Sequence, residues 1–598
     1  MFAGSSKFVF FTGKGGVGKT SLACATAVAL AEDGRSVLMV STDPASNVGQ
    51  VFGAAIGPRV RPVAGVPGLD AVELDPMTAA ADYRARVLEP LRDVMPAAEL
   101  TSVAEQLSGA CTTEVAAFDE FTKLLTDAAL IAGYDHVIFD TAPTGHTIRL
   151  LQLPGAWSGY LEAGTGDTSC LGPLAGLEEQ RARYAQAVTA LSDPAATTLV
   201  LVARPQRSAL AEAARTSREL SALGLNNQRL AINGRMPAGG MGDPLAEAVV
   251  AREAAALAAM PPELTALPRD EFELRPHDLV GVAALRELAN RAPVDLEAPA
   301  APPDRTELPS LADLMPGIEA PGKGLVMFMG KGGVGKTTMA AATAVELARR
   351  GHDVLLTTTD PAAHLGVTLD AGVPNLKVER IDPVAETARY RANVLATKGK
   401  GLDAAARAAL REDLRSPCTE EVAVFHAFSK AVSQSRRRFV VMDTAPTGHT
   451  LLLLDATGSY HHEVLRHANP AMRERTITPL MLLQDAEHTK VIIVTLPETT
   501  PILEAAALQE DLRRAGVEPW AWVVNASLAA SGSGHPLLAA RAEAERGHLG
   551  RLERDGLAKR LAVVPMLATE PVGPAGLRGV VHPETDAARE PALTGAQL

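Results

Sequence analysis

The octapeptide GKGGVGKT stands at Gly13–Thr20 and again at Gly330–Thr337. Each copy follows a short apolar run and precedes an alanine-rich stretch of helical composition. A glycine-rich turn in that setting lets backbone N–H groups close around a phosphate, and the helix N-terminus adds a favourable dipole. Gly13, Lys14, Gly15, Gly16, Val17, Gly18, Lys19, Thr20 and Ser21 are therefore expected to hold one nucleotide. Gly330, Lys331, Gly332, Gly333, Val334, Gly335, Lys336, Thr337 and Thr338 are expected to hold a second. Lys19 and Lys336 would meet the β- and γ-phosphates, and Thr20 and Thr337 would hold Mg²⁺.

Carboxylates recur at matching places. Asp43 in STDPAS and Asp360 in TTDPAA end the apolar run that comes after the phosphate-loop helix. A carboxylate there can orient an attacking water and reach Mg²⁺ through its water shell. Asp140 and Asp443 end later apolar runs and open two identical copies of DTAPTGHT. They stand where a metal-directed carboxylate belongs, and the segment after each is placed to sense the γ-phosphate. Asn233 in LAINGR and Asn525 in WVVNAS end further strand-like runs.

Four cysteines occur: Cys24, Cys111, Cys170 and Cys418. Cys111 in CTTEVAAF matches Cys418 in CTEEVAVF. Ser416-Pro417 before Cys418 reads as a helix cap with proline in the first turn, which places the thiol where its pKa is lowered. Gly109-Ala110 makes a weaker cap for Cys111. Three thiols drawn from distant segments would suit one soft, pyramidal centre such as arsenite or antimonite. The same residues could equally be separate core cysteines, since free cysteine is commonly buried. Cys24, set among Ala and Leu after the first phosphate loop, reads as core.

The elements that must position these groups are written twice, in one order, with the second copy shorter in its middle and later parts. This is a duplicated unit. KFVFFTG, SVLMVSTD, HVIFDTA and TTLVLVA, with VMFMG, VLLTTTD, FVVMDTA and KVIIVTL, are short apolar runs of buried-strand type. Helical stretches separate them. The fold class is α/β: two tandem P-loop domains, each a mostly parallel sheet flanked by helices, with a helical insert (about 77–132 and 384–433) and a pseudo-twofold arrangement. The expected boundaries are 1–297 and 321–580 for the two halves, 298–320 for a Pro/Ala-rich linker without helical pattern, and 581–598 for a polar tail.

A formal charge of -13 over 598 residues argues against a general nucleic-acid binder. So few cysteines fit a reducing compartment rather than a disulfide framework. The opening MFAGSSKFVFFTGKGG leads straight into a phosphate loop, so it is expected to be a first strand and not a signal peptide. No apolar run reaches the length of a membrane span.

With its second-position lysine, GKGGVGKT resembles the deviant Walker ATPases, which include the septum-site and partition ATPases. That resemblance implies ATP as the nucleotide. It implies that Lys14 and Lys331 reach across to the partner half's phosphates, that Asp43 and Asp360 lie in switch I, and that Asn233 and Asn525 contact adenine. The tandem GKGGVGKT, tandem DTAPTGHT and the paired cysteine motifs together resemble the arsenical pump-driving ATPases over about residues 7–580. This resemblance implies a metalloid-stimulated ATPase, with Cys111, Cys170 and Cys418 as ligands and His146, His449 and Ser416 as secondary contributors. It implies arsenite or antimonite as activator and cargo, and a membrane arsenite carrier as partner. It further implies delivery by a small arsenic metallochaperone and a cytoplasmic location at the inner face of the membrane. The alternative is an ATP-dependent targeting chaperone for tail-anchored membrane proteins, which shares the nucleotide motifs. Against it stand the missing CxxC and the charged, Ala-rich second insert, a poor groove for an apolar helix.

Overall fold

A computed structural model describes residues 6–42, 48–89, 92, 95–96, 100, 110–141, 177–238, 242–291, 308–359, 372–414, 418–444 and 478–583. The chain divides into two compact units, residues 1–242 with 246–297, and residues 298–598 with 243–245.

The strands of the first half are β1 (Phe8–Thr12), β2 (Val37–Ser41), β3 (Arg61–Pro62), β4 (Leu69–Glu73), β5 (His136–Asp140), β6 (Thr197–Ala203), β7 (Gln228–Arg235) and β8 (Arg269–Glu273). They lie in the order β3-β4-β2-β5-β1-β6-β7-β8, all neighbours parallel except the short β3 against β4. The second half has β9 (Gly324–Met329), β10 (Val354–Thr358), β11 (Leu376–Arg380), β12 (Phe439–Asp443), β13 (Thr489–Thr495), β14 (Ala521–Ser527) and β15 (Leu561–Pro565). Its order, β11-β10-β12-β9-β13-β14-β15, repeats the first sheet without the β3 edge. Every expected strand is present, and the doubled, mostly parallel α/β architecture is as expected.

Alternation explains why these runs read as uniformly apolar. Phe8 and Phe10 enter one buried cluster with Leu38, Val40 and Phe139, while Val9 and Phe11 enter another with Val37, Met39 and Ile138. Both faces of the sheet are thus covered, and the polar residues of the central strands gather at the strand ends. The helix Lys19–Glu32 is buried nearly all round, because the sheet lies on one side and the helix Val282–Asn290 on the other. Lys336–Arg349 is enclosed in the same way by Gly573–Val581.

The insert helices are anchored on the sheets. Phe121, on the helix Ala110–Thr126, sits edge-on to Phe10 at 6.1 Å and to Phe139 at 5.5 Å, and those two rings stack at 4.4 Å. Burying such a ring contributes roughly 2–3 kcal/mol. Asp119 on the same helix is almost fully buried and takes Arg86 at 2.6 Å and Arg183 at 3.0 Å, tying the helices Pro76–Leu88 and Leu177–Ser192 to it. In the second half Phe428, also fully buried, anchors Cys418–Gln434. There His426 stacks on Tyr390 at 5.3 Å, so the two inserts are held by different chemistry.

One expectation needs correction. Residues 298–320 were expected to be a linker without helical pattern, yet Leu311–Glu319 is a helix. Ser310 and Asp313 form a reciprocal capping box, and Leu311, Leu314, Met315 and Ile318 are buried against the second half's core. Their spacing is one helical face. Pro316 masked it: proline reads as a breaker, and as the sixth of nine residues it removes one bond of the ladder, a cost offset by the helix's buried apolar face. Residues 298–307, and 584–598 of the expected tail, lie outside the described residues.

Candidate functional site

In each half the phosphate-loop strand, β1 or β9, lies where the strand order reverses. This places the loop after it at the crevice beyond the carboxyl ends of the sheet, the usual ligand position in such sheets. The loop closes tightly on both sides. A Cβ at Gly13 or Gly330 would be driven into the carbonyl of Val202 or Val494 on the next strand. Gly18 and Gly335 have φ of 88° and 97°, left-handed values that disfavour any other residue. They also lie directly against the side-chain nitrogens of Asn233 and Asn525.

Those asparagines do something the sequence did not suggest. Asn233 donates its side-chain amide to the Val17 carbonyl at 2.8 Å, and Asn525 donates to Val334 at 2.9 Å. Each joins the end of β7 or β14 to the phosphate loop. Whatever these residues contribute to a base, they buttress the loop first.

Lys19 and Lys336 are buried, each with its ammonium turned to the carbonyl of the second-position lysine: Lys19 to Lys14 at 3.3 Å, Lys336 to Lys331 at 2.9 Å. Both start their helices, so each charge is held within the loop's concavity beside the N-terminal N–H groups. That combination of donors and charge suits phosphate oxygens.

The carboxylates expected to face a metal are fully buried at the ends of β5 and β12. Thr20 donates its hydroxyl to Asp140 at 2.7 Å, and Thr337 donates to Asp443 at 2.8 Å. Thr358 adds a second hydroxyl to Asp443 at 3.0 Å. A hydroxyl and a carboxylate set side by side form an all-oxygen donor pair, which fits Mg²⁺ and not a softer metal. Mg²⁺ bound there with a triphosphate would neutralise charge on the β- and γ-oxygens. Thr141 and Thr444, the next residues, donate to the carbonyls of Phe11 and Phe328, both at 2.8 Å, and lock the strand end to the phosphate-loop strand.

Asp43 and Asp360 lie outside the described residues, but the backbone that leads to them is fixed. The N–H groups of Thr42 and Thr359 donate to the carbonyls of Asp140 and Asp443 at 2.9 and 3.0 Å. Cys170, His146, His449 and Ser416 also lie outside the described residues. Cys111 is the second residue of the helix Ala110–Thr126, and Cys418 is the first of Cys418–Gln434, so both stand in the first turn of matching helices. Cys24 is fully buried, and burial, with Asp140 and Glu73 nearby, pushes its thiol well above the ordinary range. It is an inert core residue, as expected.

The loop after each asparagine is held by a carboxylate from a later helix, partly buried in the first half and buried in the second. Glu545 accepts from the Ser527 hydroxyl at 3.0 Å and from the N–H groups of Leu528 and Ala529 at 2.7 and 2.9 Å. Its pKa is pushed up to about 7 by burial, which outweighs those donors. Glu253 does the matching work in the first half, accepting from the Met236 N–H at 2.8 Å. Among the described residues no group of three or more His, Cys, Asp or Glu side chains is placed to hold a metal ion, and no helix is long and apolar enough to cross a membrane.

Two phosphate loops, each with its lysine, its threonine–aspartate pair and a parallel sheet behind it, define a tandem P-loop nucleoside triphosphatase. The model of the anion-transporting ATPase family matches residues 6–293, 323–481 and 456–582, and the chain belongs to that family. It is an ATPase. An arsenical pump-driving ATPase of Escherichia coli is 58% identical over 570 residues, 95% of this chain and 97% of its own length. Another, of Acidiphilium multivorum, is 57% identical over 573 residues, 96% of this chain and 98% of its own. The ATPase get3 of Schizosaccharomyces japonicus is 31% identical over 249 residues, 38% of this chain and 74% of its own.

Proposed function

We propose that the chain couples ATP hydrolysis at its two phosphate loops to the extrusion of arsenite or antimonite through a membrane carrier. The observation that carries this reading is the placement of Cys111 and Cys418 in the first turns of matching helices, one in each half. A helix N-terminus favours the thiolate, and thiolates suit a soft three-coordinate centre. Cys170 supplies the third sulfur in this proposal, with His146, His449 and Ser416 contributing around it. Similarity along nearly the whole chain to proteins named arsenical pump-driving ATPases supports the same cargo.

Coupling then follows from population shift. A metalloid held by residues of both halves binds a closed arrangement better than an open one, and so favours closure. In the closed state Lys14 and Lys331 act on the phosphates of the opposite nucleotide, while Asp43 and Asp360 orient the attacking water. By linkage, nucleotide must tighten metalloid binding by the factor with which metalloid tightens nucleotide. Release of the γ-phosphate moves the segments after Asp140 and Asp443, which end on His146 and His449, and loosens the thiolate site. The chain works in the cytoplasm on the carrier's inner face, and can take its cargo from a small metallochaperone.

The test is antimonite bound per chain, measured by elemental analysis after gel filtration, for wild type and for Cys111→Ser, Cys170→Ser and Cys418→Ser. The reading expects binding to wild type and loss in each variant. Wild type that binds none, or variants that bind as wild type does, would sink it and bring forward the targeting-chaperone alternative.

A further inference from the structure

Lys331 and Lys14 occupy the same place in the two phosphate loops, but their surroundings differ. The Lys331 ammonium is paired with the Glu504 carboxylate of its own half, and both side chains are largely buried, at 17% and 11% exposure. Glu504 is the sixth residue of the helix Thr499–Arg514, which follows β13, the strand beside the phosphate-loop strand. The sixth residue of the matching helix, Arg207–Ala222 after β6, is Glu212. Glu212 holds the same helical position, and there it is paired with Arg215, one turn further along its own helix, at 2.6 Å. The residue matching Arg215 in the second half is Ala507, which is exposed and offers no charge. Among the described residues no carboxylate forms an ion pair with Lys14.

We infer that Glu504 is a positioning residue that holds Lys331 on its own half, and that Lys331 must leave Glu504 before its charge can serve a phosphate. The inference rests on the reading above in which the second-position lysine acts on nucleotide. One ammonium cannot satisfy a carboxylate and a phosphate in different places, so the pair competes with catalysis by the lysine. The competition is built into one half only. In the first half Arg215 occupies the carboxylate and leaves Lys14 without that restraint. An activator that favours closure would have to overcome the Lys331–Glu504 pair but no such pair at Lys14.

The experiment is the Mg²⁺-dependent ATPase rate of the full chain, with and without antimonite, for a small set of variants. Glu504→Gln removes the charge and keeps the shape. Ala507→Arg keeps Glu504 and gives it the partner that Glu212 already has. Both are expected to raise the unstimulated rate roughly three- to tenfold, as loss of a partly buried pair shifts a two-state balance. Both should lower the stimulation ratio, leaving the fully stimulated rate near wild type. In a Lys331→Ala background, Glu504→Gln should give no gain over Lys331→Ala alone, whereas a merely structural role for Glu504 predicts the same change in both backgrounds. Unstimulated rates that fall, or stay within about twofold of wild type, in both Glu504→Gln and Ala507→Arg overturn the inference. A gain that persists without Lys331 overturns it too. If wild type does not respond to antimonite, the metalloid reading fails separately, and the unstimulated rates still decide the role of Glu504.

Discussion

Thr337 donates its hydroxyl to Asp443 at 2.8 Å, and Thr20 makes the same bond to Asp140 at 2.7 Å. The partners come from distant parts of the sequence and meet because the phosphate-loop strand lies beside the strand that ends in the aspartate. The two oxygens that would meet Mg²⁺ are thus set against each other in each half.

Asp140→Asn with Asp443→Asn should abolish most Mg²⁺-dependent hydrolysis, by on the order of 10²- to 10³-fold, because a buried charge that stabilises the transferring phosphoryl group is lost. Nucleotide binding, read with a fluorescent ATP analogue, should survive, since the phosphate loop itself is untouched. A double variant within about tenfold of wild type would show that the pair is not at the catalytic centre. The two single variants would reveal each site's share.

The bond from Asn525 to the Val334 carbonyl predicts that Asn525→Ala loosens the second phosphate loop. The expected cost is about 1 kcal/mol in stability, from one buried hydrogen bond, and a roughly five- to tenfold loss in nucleotide affinity. Gly335→Ala should be worse than Asn525→Ala, because a methyl group there meets the asparagine nitrogen and forces a left-handed alanine. Nucleotide-induced thermal stabilisation of the two variants checks the order, and Gly335→Ala binding as well as wild type would contradict it.

The central strands and both phosphate loops were legible in the sequence because their signals are local: continuous apolar runs, and glycines at fixed spacing. The roles of Asn233, Glu504 and Glu545 were not legible, because each bonds to residues that the fold, and not local spacing, brings beside it. Matching positions in the duplicate could have flagged Glu212 with Glu504 and Glu253 with Glu545. The edge strands β8 and β11, RDEFE and LKVER, were missed because an edge needs no apolar run and is often charged. The helix Leu311–Glu319 was missed through its proline. Cys170, His146, His449, Ser416, Asp43 and Asp360 lie outside the described residues.

Met315 is fully buried in the second half's core, in the segment first read as linker. Met315→Ala should cost roughly 2–4 kcal/mol, the usual penalty for a cavity at a buried methionine. Urea denaturation followed by Trp520 and Trp522 fluorescence would report it, as both are in the second half. A cost under about 0.5 kcal/mol would mean that the helix does not dock in solution.

Glu545 gives a pH dependence of defined sign. Its pKa rises from 4.5 to about 7 on folding, so the folded state binds the proton more tightly than the unfolded chain does. The associated stability is fully present below pH 4.5, is lost as pH rises towards 7, and changes no further above that. Glu545→Gln removes this dependence. Relative to wild type it should gain up to about 3 kcal/mol on going from pH 5 to pH 8, in urea unfolding at both values. A difference between variant and wild type that does not change with pH would contradict the assignment.

The central claim is that one soft ligand shared by cysteines of both halves drives hydrolysis at the phosphate loops. The most direct measurement is the Mg²⁺-dependent ATPase rate with and without antimonite, for wild type and Cys418→Ala. The account predicts stimulation in wild type that is weakened at least severalfold in the variant, with the unstimulated rate unchanged. Wild type that is not stimulated, or a variant stimulated as strongly as wild type, would contradict it.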